Sequence, residues 1–220
     1  MKKKIIALCL IVALAATAVI GGTLAYFTDS DKATNVFTVG GVDITLTEPN
    51  WDATGEDEAV TVYPGEPLAK DPTVTVAAGS NPCFVRLKVT GLNQFGDKGD
   101  IVYLTNFVEG TLGAGWVKHS DGYFYWTKPL VEQAAVEDSW NAQYNLTYKT
   151  TALFDQIKMP TTLTGEEEAE PIVVYAQAVQ AQGAKNPNWA AVNGMTVAEI
   201  AAWFTTCGMG DPAAPATPGA

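Results

Sequence analysis

The chain opens with a long apolar segment and continues as a series of alternating patterns. Residues 5–20 contain no charged side chain and follow three lysines at positions 2–4. Further on, Val42, Ile44 and Leu46 alternate with polar residues. Alternation with a period of two indicates strands that bury one face. The sequence therefore predicts an export or membrane segment followed by a domain built mainly of β-strands.

Further strands are predicted by alternation or by runs of β-branched and aromatic residues. They cover residues 60–63, 73–77, 85–89, 144–148 and 172–180. The run at 172–180 is apolar on both sides, which favours a central place in its sheet. Arg86 and Lys88 alternate with apolar residues, so we expect them on a solvated face. Residues 101–108 fit neither period well and are compatible with a short helix or a strand; we favour helical or irregular structure.

An aromatic hairpin is predicted in the middle of the chain. The runs Trp116–Lys118 and Tyr123–Trp126 flank a turn that contains Asp121-Gly122. An Asp-Gly turn between two such runs is typical of a β-hairpin. We expect the aromatic side chains to pack in the core. A carbohydrate-binding platform is the alternative if the rings stay exposed.

A short amphipathic helix is predicted near the C-terminus. Thr196 and Glu199 have the spacing of a capping box, in which each side chain satisfies a free backbone amide of the first helical turn. Ile200 and Trp203 follow at helical spacing, and Gly208 is a natural stop.

Together these patterns predict a domain built mainly of β-strands with one short C-terminal helix. The 220 residues are enough for one domain with a substantial core. We place this domain at 42–210, after a signal peptide at 1–25 and an N-terminal segment at 26–41. Residues 211–220 are rich in proline and alanine and are predicted to be a disordered tail.

The first 25 residues have the layout of a secretory signal. Gly21-Gly22 breaks the apolar run, and Thr23 and Ala25 place small residues where a signal peptidase inspects the chain. Cleavage after Ala25 would make Tyr26 the new N-terminus. The alternative is an uncleaved anchor, since about 20 apolar residues can span a bilayer.

Several short motifs carry a resemblance to a known family. The first is the stretch from Gly21 to Asp29, which is followed by Asn35–Gly40. The others are Pro64-Gly65-Glu66, Lys70–Val74, Phe84–Val89, Leu153–Ile157 and Ala176–Ala181. In this order they resemble the TasA/camelysin family, which consists of secreted proteins of Gram-positive bacteria whose signal peptide is cleaved by a dedicated signal peptidase.

The resemblance implies a jelly-roll-like antiparallel β-sandwich and, for TasA itself, fibres in the biofilm matrix. In those fibres the N-terminal strand of one subunit completes the sheet of the next. A sheet that lacks a strand exposes unpaired amides and an apolar groove, and a partner's extended segment satisfies both. The donor residues would be Tyr26, Phe27, Val36, Phe37 and Val39, with a hinge at Gly40 and Gly41.

The charge of the chain limits its partners. Its net charge is −11, and removal of residues 1–25 would leave 10 basic and 24 acidic residues, a net charge of −14. Nucleic-acid binding is not expected, because phosphate contacts need a basic surface. The expected partners are other copies of the chain, the signal peptidase during export, and matrix or cell-wall components. The expected location is the extracellular matrix or the cell surface.

Two cysteines lie beyond the signal segment. An exported protein can keep a disulfide, so Cys83 and Cys207 can form one bridge or remain free thiols. A bridge requires Cα atoms about 4.4–6.8 Å apart, which a sequence does not show.

The chain offers little for catalysis. His119 is its only histidine, whereas a zinc peptidase usually presents two histidines one helical turn apart with a glutamate base. We therefore assign no catalytic residue, metal ligand or cofactor. The acidic loop residues lack the spacing of a calcium loop and are expected to be solvated. Two alternatives stay open, a camelysin-like secreted metallopeptidase and a monomeric surface adhesin.

Processing can be checked on the secreted protein. We expect N-terminal sequencing to begin at Tyr26, because the small residues before it match the requirements of a signal peptidase. Full-length chain retained in the membrane fraction would contradict this prediction and support the uncleaved anchor.

Overall fold

Three β-sheets make up most of the structure, a computed structural model that describes residues 35–39, 41–52, 63–137, 142–164, 167, 170–181 and 189–212. The largest sheet contains, in spatial order, β1 (Asn35–Val39), β11 (Val173–Gln180), β5 (Cys83–Thr90), β9 (Phe124–Trp126) and β8 (Trp116–Lys118). A second sheet contains β3 (Pro67–Ala69), β10 (Gln156–Lys158), β6 (Val102–Thr105) and β7 (Val108–Glu109). The third pairs β2 (Ile44–Thr47) with β4 (Thr73–Val76).

The predicted class, mainly β with antiparallel sheets and one short helix near the C-terminus, is confirmed. Among the described strands, the pairing of β1 with β11 is the parallel exception. The strands predicted at 73–77, 85–89 and 172–180 form as β4, β5 and β11, and the aromatic hairpin forms as β8 and β9. β11 lies between β1 and β5, which is the central place that its apolar faces indicated.

Two predictions of local structure were wrong. Residues 101–108, expected to be helical or irregular, form the hairpin of β6 and β7. Its turn residues Asn106 and Phe107 both have positive φ. A turn of this geometry is usually recognised by a glycine, and because Phe107 stands there instead, the sequence did not indicate the turn. The run 144–148 forms no strand and contributes one isolated bridge, between Thr147 and Leu130. Of the strand predicted at 60–63, residues 60–62 lie outside the described residues.

The main core lies between the largest sheet and the two smaller ones. Val85 and Leu87 of β5 pack in one cluster with Ile44 of β2 and Ile157 of β10. Tyr103 of β6 meets Phe124 of β9 edge-on, with ring centroids 5.9 Å apart. This contact across the layers identifies a sheet-on-sheet sandwich.

A second core covers the opposite face of the largest sheet. Helix α1 (Trp189–Asn193) precedes α2 (Val197–Thr206), and Ile200 and Phe204 of α2 are fully buried in a cluster with Phe84 of β5. The predicted capping box is present at the start of α2. The Glu199 amide donates to Thr196 Oγ1, and the Thr196 amide donates to Glu199 Oε2 at 2.8 Å.

Because both faces of β5 are covered, one expectation about its charged residues fails. Arg86 was expected on a solvated face, yet it is only 4% exposed. It shares its side of the strand with Phe84, the side on which α2 packs. The aromatic hairpin is also buried, since Trp116, Phe124 and Tyr125 are almost fully covered. The carbohydrate-binding platform is therefore contradicted.

The tip of the β6–β7 hairpin carries a strained aromatic residue. Phe107 has φ of 63° and is 78% exposed. We expect Phe107→Gly to raise the free energy of unfolding by about 1 kcal/mol, because the left-handed conformation costs a residue with a Cβ about that much. Chemical denaturation measures the change. Phe107→Ala keeps the Cβ and is the control, so an equal gain from alanine would contradict the strain argument.

Candidate functional site

The N-terminal strand β1 lies at an edge of the largest sheet. It pairs in parallel with β11, from Asn35 opposite Tyr175 to Val39 opposite Val179. Its other edge pairs with no described strand. Val36 is half-buried and packs on the main core, while Thr38 is exposed. Among the described residues, β1 is therefore attached through its pairing with β11 and through the packing of Val36.

The chain is fixed to the domain immediately after this strand. The Gly41 carbonyl accepts a hydrogen bond from the Asn81 amide at 2.8 Å. A Cβ at Gly41 would lie 2.7 Å from Asn81 Nδ2, so a larger residue would displace that side chain. Gly41, predicted to be part of a hinge, thus makes a backbone contact with the turn before β5, and its role as a hinge stays a prediction. Gly40 lies outside the described residues.

Beyond Gly41 the chain is attached to the main core. Val42, Ile44 and Leu46 are buried in the main core, and β2 pairs with β4 along its whole length.

A buried ionic cluster fastens the turn that follows β2. Lys70 Nζ lies 2.9 Å from Glu48 Oε2 and 4.7 Å from the centre of the Trp51 ring. Asp71 Oδ1 accepts hydrogen bonds from the amides of Asn50 and Trp51 at 2.9 and 3.3 Å. Burial raises the pKa of Glu48 although the Lys70 ammonium opposes it. Burial also raises the pKa of Asp71, against the effect of the two amides.

The strand that β1 covers is buried on both faces. Every residue of β11 from Val174 to Val179 is buried, including the polar Gln177. The opposite edge of the sheet is different. It is β8, which has three residues and exposes Val117 and Lys118. A short edge that carries a lysine resists pairing with other chains, whereas eight-residue β11 has no such protection except β1.

Most residues predicted for cleavage and donation fall outside this description. Thr23, Ala25, Tyr26 and Phe27 lie outside the described residues. Their predicted roles stay predictions. The backbones of Val36, Phe37 and Val39 all belong to β1, so the described end of the predicted donor segment is a strand at the edge of a sheet.

The single histidine lies beside an aspartate in the β8–β9 turn. His119 Nδ1 is 3.2 Å from Asp121 Oδ1. Asp121 is already engaged, because it accepts hydrogen bonds from the Tyr125 hydroxyl at 2.7 Å and from the Tyr123 amide at 3.0 Å. Burial alone would raise the pKa of Asp121, but the Tyr125 hydroxyl, the Tyr123 amide and His119 together hold it below its ordinary value.

This pair does not extend to a metal centre in the part of the chain that the structure describes. No three side chains of histidine, cysteine, aspartate or glutamate converge among those residues. A peptidase zinc site needs three protein ligands and an open position. The described residues therefore do not fit the metal that a metallopeptidase would require.

The two cysteines do not form the disulfide that the sequence allowed. Cys83 and Cys207 are free thiols. Cys83 is buried in the main core, and Cys207 packs on the second core, so the largest sheet lies between them. Burial raises the pKa of Cys83 to about 12, which keeps this thiol protonated and unreactive.

Sequence reasoning missed a buried arginine that makes several hydrogen bonds. Arg86 hydrogen-bonds to Gln177 and Tyr125 beneath α2, and both partners are buried. The one available signal was a charged residue inside the clearest apolar strand of the chain.

Comparison with known proteins gives one match. Residues 1–58 match a family model described as camelysin metallo-endopeptidase. The resemblance to the TasA/camelysin family is confirmed over those residues. The matched range includes β1 and β2 but ends before the other described strands. No curated protein and no solved structure matches the chain. In the described part, no helix is long and apolar enough to cross a bilayer.

The Asp121 contacts generate a prediction about stability. We expect Asp121→Asn to lower the free energy of unfolding by about 1–2 kcal/mol near neutral pH, because hydrogen bonds to a charged acceptor are worth about that much. A lowered pKa means that this stabilisation is present above the ordinary carboxyl range and is lost as the pH falls through the folded-state pKa. The gap between wild type and variant should therefore narrow in acid.

Denaturation curves from pH 7 down to pH 3 measure that gap. Asp100→Asn, in an exposed loop, is the matched control and should leave stability unchanged. A gap that stays constant with pH would contradict the assignment of the ionised carboxylate.

Proposed function

We propose that the chain is a secreted structural protein of the extracellular matrix or the cell surface. It would assemble into fibres by passing its N-terminal segment from one copy to the β11 edge of the next. The partner in this proposal is another copy of the same chain. Signal peptidase would act once, during export, to free the segment that begins at Tyr26.

The observation that carries the proposal is the position of β1. It is a terminal edge strand with one hydrogen-bonded neighbour, and it covers a strand that is buried on both faces. Departure of β1 would leave the backbone groups of β11 unpaired at a long, unprotected edge. The segment of a second copy restores the same main-chain hydrogen bonds, so exchange costs little at equilibrium.

The attachment of the chain after β1 supports the same proposal. The backbone contact at Gly41 and the buried side chains of β2 keep the rest of the domain intact if the segment before them leaves. Strand donation requires this division between a detachable segment and a stable acceptor. In a monomeric adhesin the segment would instead stay in its own sheet, and no assembly would occur at any concentration.

Peptidase activity is the second candidate, favoured by the description of the matched family model. The described residues supply no metal centre for it. The discriminating assay is casein cleavage by the secreted protein. Activity that is abolished both by a chelator and by His119→Ala would favour the peptidase over the fibre protein.

Strand donation can be tested by deletion of Tyr26–Val39. The truncated protein should keep a folded β-domain by circular dichroism but should not elongate, because it can accept a strand and cannot donate one. Added in small amounts to the intact protein, it should occupy growing ends and shorten the fibres seen by electron microscopy.

Two variants of the full chain complement the deletion, the first as a second test and the other as its control. Val36→Asp places a charge where β1 packs on the core and should block elongation, whereas Thr38→Ser alters an exposed position and should elongate normally. Fibres of normal length from the truncated protein would reject strand donation.

A further inference from the structure

A buried arginine organises the outer face of the largest sheet. The Arg86 guanidinium lies 3.8 Å from the centre of the Tyr123 ring and 4.5 Å from that of Phe204. Its Nε donates to Gln177 Oε1 at 2.7 Å, and its Nη1 donates to the Tyr125 hydroxyl at 2.9 Å. We call this cluster the Arg86 socket; it consists of Arg86, Lys88, Tyr123, Tyr125 and Gln177.

The segment after α2 closes the socket. Arg86 Nη2 donates to the carbonyls of Met209 and Gly210 at 3.2 and 3.5 Å. Gln177 Nε2 donates to the same Gly210 carbonyl at 3.0 Å. Asp211 follows, and its Oδ1 accepts a hydrogen bond from the Tyr123 hydroxyl at 2.6 Å. Lys88 Nζ lies 2.9 Å from that oxygen. Asp211, predicted to begin a disordered tail, is therefore bound to the sheet.

The socket needs these acceptors because its charge is buried. A guanidinium removed from water is costly unless its donors are satisfied. The hydrogen bonds of Arg86 go to amide, phenol and backbone carbonyl oxygens, and aromatic rings cover its plane. Loss of the segment would leave Nη2 and Gln177 Nε2 without these partners.

Met209 continues the end of α2, because its amide donates to the Phe204 carbonyl at 3.0 Å and its side chain packs on the second core. The part of the segment that enters the socket nevertheless has features of a separable ligand. The contacts described above come from side chains of the socket rather than from strand pairing with the sheet. Gly208, with φ of 76°, and Gly210 flank Met209, and a Cβ at either glycine would meet nothing within 4 Å. The Asp211 side chain is 68% exposed although one of its partners, Lys88, lies in β5 and the other, Tyr123, directly precedes β9. Free space and glycines allow the segment to leave without disturbing the strands.

We propose that the Arg86 socket is a peptide-binding site for acidic segments that present two successive backbone carbonyls followed by a carboxylate. Its resident ligand is the chain's own Met209–Asp211, which acts as a latch that fastens α2 to β5 and β11. The site lies on the face of the sheet opposite the main core, and the inference does not depend on fibre assembly.

Hydrogen exchange in the full chain tests the latch. Asp211→Asn should accelerate amide exchange in α2 roughly tenfold, which corresponds to the loss of one charge-assisted contact. Exchange in β4, in the main core, should not change. Lys88→Gln should accelerate exchange in α2 by a smaller factor, because the Tyr123 hydroxyl still donates to the Asp211 carboxylate. The double variant should add little to Asp211→Asn, because the contact of Lys88 with the carboxylate is already lost there. Lys118→Gln, at an exposed lysine of β8, is the matched control.

A blocked synthetic peptide tests the ligand. The peptide spans Gly208–Pro212, and its concentration must exceed the millimolar range that a tethered segment supplies. It should restore the protection of α2 in the Asp211→Asn chain, and the same peptide with asparagine at position 211 should not.

Three results would overturn the proposal. The first is unchanged exchange in α2 of the Asp211→Asn chain. The second is acceleration that is equal in α2 and β4, which indicates general destabilisation. The third is local acceleration that the acidic peptide fails to reverse, which would make the segment a fixed part of the fold rather than a ligand.

Discussion

The fold depends on keeping β11 paired along both of its edges. This strand is buried on both faces from Val174 to Val179, so water has little access to its backbone. One edge is satisfied by β5 along all eight residues, and the other by the five residues of β1. An unpaired buried amide or carbonyl costs about as much as a lost hydrogen bond. The position beside β11 must therefore be occupied, but the physics does not require that the occupant come from the same chain.

Local patterns were sufficient for the elements whose structure is decided within a few residues. The alternation in β5, the Asp-Gly turn of the aromatic hairpin and the capping box at Thr196 all formed as predicted. The β6–β7 hairpin was missed because its turn places Phe107 at a positive φ, a conformation that a phenylalanine in the sequence does not indicate. Residues 144–148 alternate as a strand does, yet pairing is decided by distant segments, and only one isolated bridge, at Thr147, formed there.

The proposed functional surfaces were harder to predict from the sequence, because they depend on contacts between segments that are far apart in the chain. Alternation correctly divided β5 into two faces, but it could not show that α2, more than a hundred residues later, covers the face that carries Arg86. The same limit applies to Cys83 and Cys207, which lie on opposite sides of the largest sheet. The edge position of β1 likewise follows from its pairing with β11 near the other end of the chain. A pattern identifies a strand, whereas its neighbours are properties of the whole fold.

The two proposed surfaces meet at one residue of β11. Gln177 lies opposite Phe37 of β1 on one side and opposite Arg86 of β5 on the other. Its side chain bonds both Arg86 and the Gly210 carbonyl of the latch segment. Strand exchange would use the main-chain groups of β11, while the latch uses this side chain, so the two events involve different bonds of the same residue. A donor strand could therefore be replaced while the latch holds the face of β11, and the acceptor edge would keep its geometry during exchange.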